Sequence, residues 1–274
     1  MKILASVLLV LFTAACKSGD KRETQAVKPM PVTIEEAVAS SYRTPENTQR
    51  DQYRRPVETL NFFGLKPEMT VIEISPGAGW YMEVLAPLMN ANGQYIAAAP
   101  PSSAGEYMKK LNEKTAQWLG RHPEIKARAK VIDFAPPADL ALDQPADMIL
   151  TFRNVHNWAA NGFDQAAFNT FFKALKPGGI LGVVEHRAPA KSKRDPKAKS
   201  GYMREADVIQ LAKRAGFKLE AKSEINANPK DTRNHPEGVW TLPPVLRLGD
   251  KDREKYLAIG ESDRMTLKFV KPGA

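Results

Sequence analysis

The densest run of reactive side chains in this sequence is Arg153-Asn154-Val155-His156-Asn157-Trp158, which gathers a guanidinium, two amides, an imidazole and an indole. An imidazole titrates near neutral pH, so His156 is suited to take a proton from a nucleophile. Glu185-His186-Arg187 is a second such run, with Glu185 as the other candidate base. A third is Glu73-Ile74-Ser75-Pro76-Gly77-Ala78-Gly79. There Gly77 and Gly79 let the backbone come close to a ligand, and the helix that follows offers unpaired amides. Glu73 sits inside an apolar run, where a carboxylate is costly to bury without a hydrogen-bond donor. Either the protein or a ligand must supply that donor. A tight βα turn with no ligand would use the same glycines. No Cys/His group has the chain spacing of a metal site, so no metal is expected. A Gly-x-Ser-x-Gly nucleophile elbow is also missing.

The elements that must position these groups follow from periodicity. Val71 to Ile74 reads as a buried strand leading through the glycine turn into a helix from Trp80 to Met89. Further strands are expected at 93–99, 130–134, 147–152, 180–185 and 217–224, with a last alternating segment at 265–270. Helices are expected at 103–119, 163–175 and 204–215. Pro177-Gly178-Gly179 breaks the second of these and Gly216 closes the third. Strands separated by helices imply a parallel sheet covered on both faces, with ligands at the carboxyl ends of the strands. Glu73 to Gly79, Ala97 to Pro100, Asp133-Phe134, Arg153 to Trp158 and Glu185 to Arg187 therefore share one rim. Strand alternation puts Glu185 and Arg187 on one face and His186 on the other. Tyr42, Arg43, Asn47, Arg50, Asp51 and Arg54 precede the sheet on an expected N-terminal helix. If it covers the rim, Tyr42, Arg43 and Asn47 join Trp158 and His186 as substrate contacts; otherwise it is a charged exposed face. The long segment 225–263 is expected to be a lid, or disordered.

The turn at 71–79 resembles the first motif of class I S-adenosylmethionine (SAM)-dependent methyltransferases. Phe172-Lys173-Ala174-Leu175-Lys176-Pro177-Gly178-Gly179-Ile180-Leu181 resembles the segment before their fifth strand. The resemblance covers about residues 57–225 and the last strand. It implies an α/β fold with a doubly wound, Rossmann-like sheet, mostly parallel, the final strand running antiparallel between the fifth and sixth, plus an N-terminal helical extension. It also implies SAM as cofactor, held by Glu73, Pro76, Gly77, Gly79, Arg153 and Asn154. Asp133 would accept from the adenine amine with Phe134 beside the ring, although an Asx turn would equally explain Asp133. The family usually ends its second strand with an acid that binds the ribose hydroxyls. Here Ala97-Ala98-Ala99-Pro100-Pro101 offers no polar side chain, so a weakened ribose site is expected. The absence of an Asn/Asp-Pro-Pro-Tyr tetrad argues against DNA-base or protein-amide substrates. Arg43 to Asp51, Arg55 to Leu60, Gly77 to Tyr81 and Phe152 to Trp158 are similar to blocks in exported, predicted methyltransferases of proteobacteria.

At the N-terminus, Lys2 and the short apolar run Ile3 to Phe12 read as a signal peptide, residues 1–15. Thr13-Ala14-Ala15-Cys16 resembles a bacterial lipobox, which implies lipidation of Cys16; an ordinary signal peptide with an incidental cysteine is the alternative. Cys16 is the only cysteine in the chain, so it has no internal disulfide partner. Lys17 in place of Asp points to the outer membrane. Residues 16–31 read as a polar tether and 32–274 as one domain with N-terminal helices and the 225–263 insertion. The formal net charge is +9, with a local cluster at 191–199 that lacks interleaved aromatics, so no nucleic-acid partner is expected. The expected protein is an exported, SAM-dependent methyltransferase-like lipoprotein on the periplasmic face of the outer membrane, acting on a small molecule or envelope component. The alternative is a catalytically inactive binding or scaffold protein on the same fold.

Overall fold

A computed structural model describes residues 29–273. The expected signal peptide, Cys16 and nearly all of the tether lie outside the described residues.

Seven strands form one sheet in the order β3-β2-β1-β4-β5-β7-β6. They are β1 (Thr70–Ile74), β2 (Gln94–Ala99), β3 (Ala129–Asp133), β4 (Ala146–Phe152), β5 (Leu175–His186), β6 (Lys218–Ser223) and β7 (Arg264–Val270). All neighbours run parallel except β7, which is antiparallel to both β5 and β6. The expected doubly wound sheet with its inserted last strand is therefore present. Central strands are mostly apolar because both faces are covered: Val71, Ile72 and Ile74 are fully buried, whereas edge strand β6 alternates.

The helices are α1 (Ile34–Ala39), α2 (Pro45–Thr48), α3 (Asp51–Arg54), α4 (Pro56–Phe63), α5 (Met82–Leu88), α6 (Glu106–Arg121), α7 (Pro123–Lys126), α8 (Val155–Asn161), α9 (Asp164–Ala174), α10 (Glu205–Ala215) and α11 (Arg253–Ile259). On one face Phe168, Phe171 and Leu211 form a core with Leu181 and Leu267; on the other Leu60, Leu85 and Trp118 pack with Val71 and Leu150. Gly182 lets α4 approach β5, since a Cβ there would meet Leu150 Cδ2 at 2.6 Å and the Phe63 ring at 3.0 Å.

Three elements differ from the periodicity reading. The N-terminal extension is four short helices rather than one. From Val155 on, the run after β4 is itself helical, forming the start of α8. Strand β5 starts at Leu175 and runs through Pro177-Gly178-Gly179 instead of beginning at Ile180. The cause of the last is pairing with the C-terminal segment: Gly178 N–H donates to the Lys271 carbonyl (2.8 Å) and Lys271 N–H to that of Gly179 (2.9 Å).

The 225–263 insertion is held by side chains. Asn226 Nδ2 donates to Thr59 Oγ1 and Thr266 Oγ1, both at 3.0 Å. Buried Asp231 accepts from the Tyr202 hydroxyl (2.9 Å) and from the Asp263 amide (2.7 Å), and His235 Nε2 lies 2.8 Å away. Those bonds satisfy a carboxylate that burial alone would make costly.

Candidate active site

A cavity of about 370 Å³ opens at the carboxyl ends of β1, β4 and β5, covered by the α2–α3 segment and by the insertion. Its floor is the glycine turn. Ser75, Gly77 and Gly79 all have positive φ (51°, 61° and 84°). A Cβ on Gly77 would meet nothing within 4 Å, so Gly77 faces open space; one on Gly79 would strike Met82 Cε at 2.6 Å, so that glycine serves packing. The donor that Glu73 requires comes from the protein: the Tyr95 hydroxyl donates to Glu73 Oε2 at 2.7 Å. Burial pushes the Glu73 carboxyl up to about 7, against the opposing pull of that bond and of Arg54 and Arg153.

Between β4 and β5 the fold builds a carboxylate–imidazole pair. Asn154 Nδ2 donates to the Ile74 carbonyl at 2.9 Å, tying the end of β1 to the start of α8. His156 then turns toward β5, where its Nδ1 lies 3.0 Å from Glu185 Oε1 and its amide donates to Glu185 Oε2 at 3.2 Å. Glu185 Oε1 also accepts from the His186 amide at 2.7 Å. This fully buried carboxylate is thus satisfied by two backbone N–H groups and one imidazole. With its Nδ1–H held by Glu185, His156 carries its lone pair on Nε2, the tautomer a general base needs. His186 lies beside it, ring centroids 5.2 Å apart, with Nδ1 2.5 Å from Ser262 Oγ. Burial, with the Arg153 guanidinium adding to it, holds the His186 imidazole well below its usual value, so it stays neutral.

Ligand atoms of His156, Glu185 and His186 all lie within 4.8 Å of one another, a metal-sized grouping that chain spacing does not reveal. Both Glu185 oxygens already accept hydrogen bonds, and Arg153 and Arg264 bring positive charge to the same place. The arrangement suits a base and its orienting carboxylate better than a cation.

The opposite wall is cationic. Arg50, Arg54, Arg153 and Arg264 line the cavity together with Glu261. Glu261 accepts from Arg50 Nε at 2.6 Å and from Arg264 Nη2, and lies 3.7 Å from Arg54 Nε. Burial alone would raise its carboxyl, but Arg264, Arg54 and Arg50 outweigh it and hold the group at about 2. The roof is apolar, with Trp240, Pro243 and Pro244 from the insertion.

Of the residues expected at the site, Glu73, Pro76, Gly77, Arg153, Asn154, His156, His186 and Asn47 line the cavity, and Glu185 stands behind His156. Several others do not. Tyr42 is buried beneath α6, where Trp118 Nε1 donates to its carbonyl at 3.3 Å. Arg43 is consumed by two bonds to Asp51 and lies over the Trp80 ring at 4.8 Å. Trp158 belongs to the core, edge-on to Phe171 at 5.4 Å, because α8 turns its indole under the sheet rather than toward the rim. Asp133 is exposed on outer strand β3, and Phe134 is buried against Phe171, so neither reaches the cavity. Gly79 does not line it either. The alternation argument also fails at the end of β5: Glu185 and His186 converge because Glu185 folds back onto the amide of its neighbour.

Arg264, Glu261 and Ser262 are the site residues the sequence reading passed over. Their signal is the polar run Gly260-Glu261-Ser262-Asp263-Arg264 immediately before an apolar strand. Antiparallel insertion of β7 brings the start of that strand, with Arg264 opposite His186, to the rim where parallel strands end.

No family model matches the sequence, and no curated protein matches it. Solved structures do resemble the fold. A SAM-dependent methyltransferase from Aquifex aeolicus superposes with TM-score 0.55 at 17% identity, covering 87% of this chain and 96% of that one. The [4+2]-cyclase SpnF gives TM-score 0.56 at 16% identity over 88% and 92% of the two chains. The glycopeptide N-methyltransferase MtfA, solved with sinefungin, gives 0.51 at 13% identity over 79% and 85%. At these identities the likeness is one of architecture, and it agrees with the strand order and the glycine turn: the chain has the fold of class I SAM-dependent methyltransferases.

Proposed function

We propose that the protein is an exported, lipid-anchored enzyme that transfers a methyl group from SAM to a small molecule. The observation that carries this reading is that one cavity joins the open face of Gly77 to His156, whose Nδ1 is held by Glu185. Methyl transfer asks a protein to align nucleophile, methyl carbon and sulfonium, and to accept a proton where the nucleophile bears one. Bound SAM would supply the electrophilic methyl group. His156 Nε2 takes the acceptor's proton, Glu185 stabilises the imidazolium that results, and the roof of Trp240 and Pro243-Pro244 excludes water. The residues fit the methionyl side of the cofactor, where Gly77 leaves room for a close approach. On the ribose side Ala97 to Ala99 offer no acid, so weak binding is expected.

Calorimetry of the purified full chain with SAM and S-adenosylhomocysteine tests this. We expect micromolar or poorer affinity, about −8 kcal/mol or less favourable, and its loss in Gly77→Val with cooperative unfolding retained. No heat of binding at millimolar cofactor would overturn it and favour a non-catalytic binding protein, the reading that the apolar Ala97–Ala99 rim and the outlying Asp133 support. The anchor is proposed from the sequence around Cys16: Cys16→Ser should abolish incorporation of labelled lipid, and unchanged labelling would refute it.

A further inference from the structure

We propose that the cavity binds the anionic group, carboxylate or phosphate, of a small organic acid through Arg54 and Arg153, with Arg50 at its edge. Several guanidinium nitrogens at the cavity lack a hydrogen-bond partner. Arg54 is only 3% exposed, and its Nε and Nη2 make no hydrogen bond; Nη2 of Arg50 is likewise buried and unpaired. Buried donors of this kind are nearly always satisfied, and guanidinium donors most strongly so by oxyanions. Arg54 is not free to swing away, because its guanidinium lies over the Trp80 ring at 4.5 Å. The Arg153 guanidinium makes no hydrogen bond to any described residue, although its backbone is held at φ 63° on the cavity wall.

Charge balance points the same way. Four guanidiniums face the cavity against the carboxyls of Glu261 and Glu73. Glu261 is already shared among Arg50, Arg54 and Arg264, and burial pushes Glu73 up to about 7, so part of its negative charge is lost near neutrality. Burial and then Arg264 lower Arg153 to about 10, outweighing the opposing pull of Glu261 and of Glu185 behind His156. On the methyl-transfer reading, on which the role of this anion as methyl acceptor rests, the cofactor brings one carboxylate against an ammonium and a sulfonium. It cannot supply the missing negative charge. The acceptor must, while its body meets the apolar wall of Trp240, Pro243, Pro244 and Val245.

The test uses benzoate and phenyl phosphate as probes and benzamide as the neutral control, by calorimetry and thermal unfolding of the full chain. At least one anion should bind saturably and raise the unfolding midpoint, more weakly at high salt, and benzamide should do neither. The stronger of the two identifies carboxylate or phosphate. Arg54→Met should weaken the anion at least tenfold without lowering the ligand-free midpoint, because Glu261 keeps Arg50 and Arg264 and a buried cation whose Nε and Nη2 make no hydrogen bond has gone. Should that variant fold poorly, Arg153→Gln removes a side chain that bonds to no neighbour and should weaken the anion likewise. Absence of saturable anion binding, or unchanged affinity in both variants, would overturn the proposal. Repeating the titration with S-adenosylhomocysteine present separates the sources. Joint binding supports an acceptor site; mutual exclusion would assign the guanidiniums to the methionyl carboxylate and overturn it. Anion binding with no binding of S-adenosylhomocysteine would sink methyl transfer and leave the anion site standing.

Discussion

Glu73 shows how one residue records the state of the site. It lies buried on β1 between Ile72 and Ile74, yet Tyr95 gives it a single donor and the guanidiniums of Arg54 and Arg153 act on it across the cavity. Its carboxyl titrates at about 7 in the folded chain against an ordinary 4.5. Between those two values the folded state holds a proton that the unfolded state has released. This group therefore costs stability progressively as pH rises through that window, and the cost is fully present above about 7. Glu73→Gln keeps an acceptor for Tyr95 and cannot ionise. It should flatten the dependence of unfolding free energy on pH between 4.5 and 7 and gain about 1–3 kcal/mol at pH 8, by urea denaturation. An unaltered slope would mean that Glu73 is already ionised at acid pH.

At the scale of elements, short connections matter more than the regular strands they join. The turn from β1 to α5 presents Gly77 to open space and reserves Gly79 for Met82. The turn from β4 to α8 is pinned through Asn154 to the end of β1, which fixes where His156 begins its reach toward Glu185. Strand β7 decides the third side. Its register with β5 sets Arg264 opposite His186 and Met265 opposite Glu185, so the residues just before it arrive at the cavity. The Gly77 substitution tests the first of these connections without touching the other two.

Across the whole molecule, Glu261 joins the two ends of the described chain. It pairs with Arg50 and Arg54 from the N-terminal helices and with Arg264 at the start of the last strand, closing the cavity as it does so. Its carboxyl is held at about 2, below the ordinary 4.5, by those three cations. A depressed carboxyl contributes stability that is fully present above pH 4.5 and is lost as pH falls toward 2. Glu261→Gln should therefore cost about 3 kcal/mol at pH 7, as breaking a buried ion pair does, and the gap from wild type should close below pH 3. A pH-independent gap in denaturant titrations would assign the loss to packing alone.

The sequence by itself determined the strands, their alternation with helices and the glycine turn, because apolar periodicity and glycine or proline breaks are local signals that burial on both faces of a sheet enforces; the place of β7 within the sheet is implied by the family resemblance and not by any local signal. It also singled out His156 and Glu185 as bases and the insertion as a cover. Only the tertiary structure decided that these two form a single pair, that Trp158 and Phe134 belong to the core, and that Tyr42 and Arg43 are spent on packing. The difference has a physical origin. Whether a helix turns an indole toward the rim or under the sheet depends on its crossing angle, set by neighbours far away in the chain. The guanidinium wall is the clearest instance: Arg50 and Glu261 stand 211 positions apart, and no local pattern relates them until the antiparallel strand carries one to the other.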